Sequence, residues 1–199
     1  MYTHVLNIKK SFTLVALLST IAFSVTAQEW KIDKNHSSFN FEVNHFFTPV
    51  IGSFNDFKGE FSFDPNDLGN SNSRFTIKIA SIDTGNDKRD SDLKSANFFE
   101  EGRFPEIIFV STKFLEKGGA YIIVGNLTIK DITKEVEVPF QVLGLGVHPN
   151  RKSKELIGIK AKFTILRNDY GVGSGNWATT AVVGDEILIT IMIEASRSI

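Results

Sequence analysis

The sequence predicts an all-β fold, an antiparallel barrel of eight strands. Three observations support this prediction. Apolar and polar residues alternate with period two along most of the chain, short turn-forming segments separate the alternating runs, and the apolar positions are dominated by Phe, with 18 Phe against 2 Trp and 3 Tyr. Because successive side chains of a strand point to opposite faces of a sheet, each run indicates a strand with one apolar and one solvated face.

The N-terminal segment has the three parts of a secretory signal: a basic start, the apolar run of residues 11–23, and small residues up to Ala27. The apolar run is shorter than the roughly 20 residues that a membrane-spanning helix needs, and no second run of this kind follows. We therefore expect a signal peptide over residues 1–27, cleaved after Ala27. The domain then covers residues 28–199, has no integral membrane segment, and is periplasmic or secreted.

Composition narrows the function classes further. The chain has no Cys, so an exported form must be stabilised by its core without disulfides. Its formal net charge is -1, which gives no basic excess for nucleic acid, and no nucleic-acid partner is expected.

The alternating runs define the predicted strands and their connections. The eight predicted strands are residues 30–45, 53–63, 73–82, 106–115, 120–130, 134–143, 155–167 and 185–196. Lys117-Gly118-Gly119 indicates a hairpin, and Asp131-Ile132 a tight turn in which Asp131 adopts the left-handed conformation. The turn formers of residues 64–73 indicate a loop. These connections are typical of antiparallel neighbours in one domain.

Residues 86–101 break the alternation between the third and fourth predicted strands. Leu93, Ala96 and Asn97 fall at helical spacing, which predicts one short helix within a crossing loop, with Asp87 as its N-cap. Such a segment could cover one end of a barrel, or it could be a surface excursion with Phe98 and Phe99 tucked into the core.

Eight long strands with single-sided apolar faces can form a sandwich or a closed barrel. Closure leaves no exposed sheet edge, which favours the barrel for an exported protein with long strands. An eight-stranded barrel is either just filled by its side chains or holds one slender ligand. The Phe and Ile content fits an apolar guest and equally fits a solid core.

Catalytic and metal-binding signals are absent from the sequence pattern. No nucleophile–base pair is recognisable, which predicts a non-enzymatic protein. His36 and His45 are an odd number of residues apart on the first strand and face opposite sides, so no metal site is expected. The charged residues around Arg89 and Asp90 admit three interpretations: a rim that binds a ligand head group, a network that ties the crossing segment to the barrel, or a solvated charge run.

Several segments together resemble the YceI-like proteins. The segments are Asp33 with His36-Ser37, TGNDKRDSDLKSANFF at 84–99, RFPEI at 103–107, GNLTIKDITKEV at 125–136, RNDYG at 167–171 and VGD at 183–185. The resemblance covers residues 29–196. It departs from the family where Asp92 replaces a common His and Asp131 an often-found Gly.

This resemblance implies a lipocalin-like barrel, exported in bacteria, whose apolar channel binds an isoprenoid lipid such as a polyprenyl chain or an isoprenoid quinone. It also implies a homodimer, and no cofactor other than the bound lipid. The alternative is a periplasmic stress or envelope interaction module whose filled barrel binds a protein partner.

Joining the resemblance to the strand pattern gives a set of expected lipid-binding residues. The expected lining residues are Phe39, Phe41, Val43, Phe57, Phe61, Phe75, Ile77, Ile79, Phe109, Phe163 and Ile165. Phe98, Phe99 and Phe104 are expected at the mouth of the channel, and Arg89 with Asp90 at a head-group or structural rim.

Overall fold

The structure is a computed structural model that describes residues 29–199, so the predicted signal peptide lies outside the described residues. Within them the chain forms ten strands and one α-helix. In chain order these are β1 Lys31–His45, β2 Thr48–Phe54, β3 Phe57–Ser62, β4 Asn72–Lys78, β5 Ile82–Asp83, α1 Asp87–Lys94, β6 Glu106–Lys117, β7 Ala120–Ile129, β8 Ile132–Val147, β9 Lys154–Leu166 and β10 Val183–Ser198. The predicted all-β class with one short helix is confirmed.

The strand count differs from the predicted eight because two predicted strands are divided. The predicted strand 53–63 breaks between β2 and β3, where the backbone N–H of Asn55 donates to the carbonyl of Ser81 at 3.1 Å. The predicted strand 73–82 is interrupted by the 3₁₀ turn Ile79–Ser81, which separates β4 from β5. At the first break the backbone hydrogen-bonds to the turn Ile79–Ser81, and at the second break the chain forms that turn. Neither predicted strand therefore continues its pairing as one strand.

All ten strands belong to one antiparallel sheet in the order β3-β4-β6-β7-β8-β9-β10-β1-β2-β5. The two ends of this order approach each other. β5 follows β4 in the chain and pairs with β2, as in Phe54 opposite Ile82. At the start of β1, the Trp30 N–H donates to the carbonyl of Phe61 on β3 at 2.7 Å. These links curl the sheet into a barrel.

Aromatic rings fill the end of the barrel where β1 begins, which we call the closed end. Phe63 is fully buried. Its ring centroid lies 5.9 Å from that of Phe61, 5.2 Å from Tyr121 and 5.3 Å from Phe140. The indole N–H of Trp30 donates to the carbonyl of Phe63 at 2.8 Å, so this large buried ring has its polar atom satisfied.

Residues 86–104, the crossing segment, lie toward the other end of the barrel. Helix α1 begins after Asn86, whose side-chain oxygen accepts the backbone N–H of Arg89 at 3.0 Å. The prediction of Asp87 as N-cap was wrong, because Asn86 has the extended backbone that this position requires. Beyond α1, the carbonyl of Asn97 accepts the N–H of Ser174 at 2.7 Å, which fastens the segment to the loop before β10.

The turn between β7 and β8 is shifted by one residue from its predicted place. Strand β7 ends at Ile129 and β8 begins at Ile132, so Lys130 and Asp131 form the turn. Lys130 adopts the left-handed conformation, with φ at 57°, which corrects the prediction for Asp131. The ammonium of Lys130 donates to the carbonyl of Gly171 at 3.1 Å, a contact that holds the side chain in place.

Candidate functional site

A cavity of ≈ 200 Å³ occupies the barrel between the closed end and the crossing segment. Its wall consists of the inward side chains of the strands, and Leu93, Phe98 and Phe99 of the crossing segment complete it. Among the described residues that line it, Asn40 and Arg167 are the only ones with polar side chains. The cavity therefore suits an apolar chain and offers little to a polar or charged guest.

Most of the residues expected to line a channel border this cavity. They are Phe39, Phe41, Val43, Phe61, Phe75, Ile77, Phe98, Phe99, Phe109, Phe163 and Ile165. The crossing segment thus contributes Phe98 and Phe99 to the cavity wall, which favours its interpretation as a cover over one end of the barrel. Contact of these residues with a lipid stays a prediction.

Three expected lining residues lie outside the cavity wall, which corrects the expectation for them. Phe57 is buried in the packed core, with its ring centroid 4.6 Å from that of Phe39. Ile79 is buried within the 3₁₀ turn after β4. Phe104 is half-buried under the guanidinium of Arg103, 4.7 Å from its ring centroid, and does not reach the mouth of the cavity.

The sequence reasoning missed much of the wall that β7 to β10 provide. The additional apolar residues that line it are Phe54, Leu93, Ile107, Ile123, Leu127, Ile129, Val138, Phe140, Ile159, Ala161, Val172, Val183, Ile187, Ile189, Ile191 and Ile193. Their signal was present in the alternating Ile residues of β10. These define an inward face as clearly as the Phe residues of β1 do.

Three of the lining Phe rings lie directly over glycines of a neighbouring strand. A Cβ atom at Gly52 would lie 2.3 Å from Cζ of Phe41, and one at Gly59 would lie 2.4 Å from Cε1 of Phe75. At Gly125 the same atom would lie 2.5 Å from Cζ of Phe109. Each glycine lets a ring lie against the wall of the barrel, which leaves the space along the axis open.

Arg167 is a buried cation at the wall of the cavity, with only 4% of its surface exposed. Its Nε donates to the carbonyl of Gly184 at 2.8 Å. Its terminal nitrogens donate to the carbonyls of Val172 and Val183, at 2.9 and 2.8 Å, and also to Asn168 Oδ1 and the carbonyl of Thr179. All five N–H donors have acceptors, so the side chain ties β9, the following loop and β10 together.

The environment of Arg167 also affects its charge. Burial lowers the pKa of its guanidinium from the ordinary value, and the nearby carboxylate of Asp185 acts in the opposite direction. The group stays cationic near neutral pH because the ordinary pKa of Arg is so high.

Arg89 and Asp90 bind the crossing segment to the strand end at Thr84. Arg89 Nε donates to Thr84 Oγ1 and a terminal nitrogen to the Thr84 carbonyl, both at 2.7 Å. The buried carboxylate of Asp90 accepts the backbone N–H of Thr84 at 3.0 Å. Of the three interpretations left open by the sequence, this geometry favours the network that ties the segment to the barrel.

A cluster of Asp33, His36 and Glu194 lies near the start of β1. His36 Nδ1 is 3.0 Å from Asp33 Oδ2 and 3.7 Å from Glu194 Oε1. The hydrogen bond to Asp33 raises the pKa of the His36 imidazole, and the same bond lowers the pKa of the Asp33 carboxyl group. The three groups offer one ligand atom each to a cation, but they are substantially exposed, and their ion pairs account for the arrangement.

Comparison with known proteins decides the family. Residues 30–195 match the YceI-like domain. The chain belongs to the YceI family. It is 36% identical over 170 residues to the protein YceI of Salmonella arizonae, and the alignment covers 82% of this chain and 88% of that protein.

Solved structures share the fold of this YceI-family chain. Burkholderia cenocepacia BcnA is 27% identical with a TM-score of 0.76, covering 83% of this chain and 99% of that one. A polyisoprenoid binding domain from Saccharophagus degradans, implicated in plant cell wall breakdown, is 13% identical with a TM-score of 0.61, covering 85% and 98%. The second likeness is one of fold. Within residues 29–199, no helix of this chain is long and apolar enough to cross a bilayer.

Proposed function

We propose that this YceI-family chain is an exported binding protein that holds the tail of an isoprenoid lipid in its barrel. The observation that carries the proposal is the cavity of ≈ 200 Å³ walled by Phe, Ile, Leu and Val side chains. The Saccharophagus domain of the same fold binds a polyisoprenoid, which supports the assignment of the ligand class. A polyprenyl chain and the tail of an isoprenoid quinone share the chemistry that such a cavity recognises.

The geometry supports a position for the tail inside the barrel and for the head group outside it. The aromatic rings around Phe63 fill the closed end, so a ligand enters from the end near Val43 and Val183, both half-buried lining residues. Burial of a tail releases roughly 25 cal/mol per Å² of apolar area, and ordering the tail offsets part of this gain. A polar head group would lose its hydration inside the cavity, so it stays at the open end.

We infer that binding is the whole task and that no bond of the lipid is made or broken. The two polar side chains of the wall support this view, because both are engaged: Asn40 donates to Ser38 Oγ at 2.9 Å, and Arg167 donates to carbonyl groups and Asn168. The signal-like sequence of residues 1–27 supports an exported location, where a carrier would keep an isoprenoid tail out of water between membranes.

The direct test is to identify what the protein retains. Protein expressed with its leader and purified without detergent is expected to carry an isoprenoid mass in native mass spectrometry, and extraction followed by lipid analysis names the tail and the head group. The variant Ile77→Trp should remove that mass, because the larger ring enters the cavity while the barrel stays folded.

Thr76→Trp is the matched control for this experiment. Thr76 is the neighbour of Ile77 on β4 and faces away from the cavity, so the same ring added there should leave the lipid bound. A wild-type protein without any isoprenoid, or equal lipid content in both variants, would contradict the proposed function.

A further inference from the structure

The hairpin between β1 and β2 carries large apolar side chains into solvent at its tip. Phe47 is 100% exposed and Phe46 is 57% exposed, and Ile51 on β2 is 65% exposed. The sequence from Val43 to Asn55 contains no Asp, Glu, Lys or Arg. This tip is therefore an uncharged apolar projection, a feature that has an energetic cost in water and marks interaction sites on soluble proteins.

The backbone of the tip holds the two rings in a defined place. Phe46 adopts a left-handed φ of 53°, a conformation that favours Gly or Asn in two-residue hairpin turns. Its N–H donates to the carbonyl of Val182 at 2.8 Å, and its ring stands edge-on to that of His45, with centroids 4.6 Å apart. Both contacts hold a phenylalanine where a small polar residue would form the turn with less strain.

The tip lies just beyond the end of the cavity that Val43 and Val183 line. His45 pairs with Val183 across β1 and β10, and Val183 and Val43 both line the cavity. At about 3.3 Å per residue along a strand, Phe46 lies roughly 10 Å beyond Val43, and Phe47 follows it in the two-residue turn. The same strand thus runs from the lipid cavity to the exposed rings.

We propose that the Phe46–Phe47 tip inserts into the interfacial layer of a lipid bilayer and sets the open end of the cavity against it during lipid exchange. This inference rests on the proposed function, since a bilayer is where an isoprenoid lipid is taken up or released. It adds a partner, the lipid surface itself, and a role for residues that do not contact the tail.

A bilayer fits the shape of this surface better than a protein does. A stable protein interface buries about 800 Å² on each partner, usually over a broad face. Here the exposed apolar surface at the tip is a narrow turn with two adjacent rings, and Phe is among the residues that interfacial segments bury at the boundary between head groups and acyl chains. Insertion of two rings gives weak and reversible attachment, which is what a protein that loads and departs requires.

The test uses vesicles of phosphatidylcholine with and without an isoprenoid quinone. Phe47→Trp should retain vesicle binding, and its fluorescence should shift to shorter wavelength when vesicles are added. Phe47→Ser should slow uptake of quinone from the vesicles by about tenfold or more, because one buried aromatic ring is lost from the contact. Lipid already retained from expression should be unchanged in native mass spectrometry.

Leu145→Ser is the matched control. Leu145 is also an exposed apolar residue, 41% accessible, but it pairs with Ile157 toward the closed end, so its loss should not change uptake. The inference would be overturned if Phe47→Ser took up quinone at the wild-type rate, or if the fluorescence wavelength of Phe47→Trp did not change when vesicles were added. A homodimer in sedimentation that Phe47→Ser dissociates would also overturn it, because the tip would then bind a second copy.

The two proposals can fail separately in this experiment. If wild-type protein retains no isoprenoid and takes none from vesicles while the Phe47→Trp signal still shifts, then membrane contact stands and lipid carriage fails. If lipid is retained and exchanged equally by every tip variant, carriage stands and the role of the tip is overturned.

Discussion

Gly52 leaves no side-chain atom between the backbone of β2 and the ring of Phe41, so one added methyl group tests how the wall sets the width of the cavity. In Gly52→Ala, the Cβ atom would lie 2.3 Å from the ring, and Phe41 must turn toward the axis. We expect less bound lipid in native mass spectrometry and a loss of stability of about 1–3 kcal/mol from overpacking.

Gly144→Ala provides the comparison for this change. Within residues 29–199, no heavy atom other than those of its chain neighbours lies within 4 Å of a Cβ placed at Gly144, so the substitution adds the same methyl group without a clash. Lipid content equal to wild type in Gly52→Ala would show that the glycine does not set the space beside Phe41.

Arg167 is expected to act through stability, because four of its five donors bond to backbone carbonyls and the fifth to Asn168 Oδ1. Arg167→Gln removes most of these bonds and leaves the carbonyls of Val183 and Gly184 without their present donors. We expect a decrease of about 2–4 kcal/mol in the free energy of unfolding, measured by urea denaturation. Arg103→Gln, at a side chain that is 66% exposed, should change it by only about 0.5 kcal/mol or less. Equal effects of the two substitutions would argue against this role.

The inward residues could be predicted individually from the sequence only in part. Period-two alternation reports which face of a strand a residue occupies, and it correctly placed Phe61 and Phe163 on the inner face. It does not report the position along the barrel axis or the packing of neighbours. Phe57, for example, is on the inner face and is buried, but its ring packs against Phe39 and does not line the cavity.

Among the elements, the β1–β2 hairpin is one that the sequence pattern did not predict. No strand was predicted over residues 46–52, and a Pro such as Pro49 is uncommon in a strand interior. In the structure Pro49 pairs with Asn44 on β1, while β5 pairs with β2 only at Ser53 and Phe54. The other side of β2 at Pro49 has no ladder partner among the described strands, so the missing N–H is tolerated there.

The crossing segment was predictable as a break in the alternation, but its docking was not. Asn86 and Asp87 are both suitable caps by residue type, and only the backbone of the folded chain distinguishes them. Its attachment depends on contacts far apart in sequence, such as the N–H of Ser174 with the carbonyl of Asn97. Local sequence carries no information on such pairs.

For the molecule as a whole, a ligand that occupies the cavity should stabilise the fold. A compound that binds only the folded state adds about 2.7 kcal/mol at a free concentration of about 100 times its Kd. We therefore expect protein stripped of lipid to melt at a lower temperature than protein as purified, and farnesol to raise the Tm of the stripped form. Differential scanning calorimetry measures both changes.

In that experiment Ile77→Trp should show no rise in Tm with farnesol, and Thr76→Trp should respond like wild type. A rise of equal size in Ile77→Trp would place the stabilising ligand outside the cavity.

The sequence also predicted the whole molecule as an all-β barrel. That prediction depends only on repeated alternation and short turns, so errors in the limits of individual strands did not affect it.

The ring-filled end around Phe63 makes the barrel a blind tube within the part of the chain that the structure describes. A chain molecule held in such a tube must enter tail first and leave head first, by the same route. On the proposed function, every loaded copy would then present the lipid in one orientation, with the head group beside Phe46 and Phe47. An acceptor could therefore recognise what is carried before any of the tail has been released.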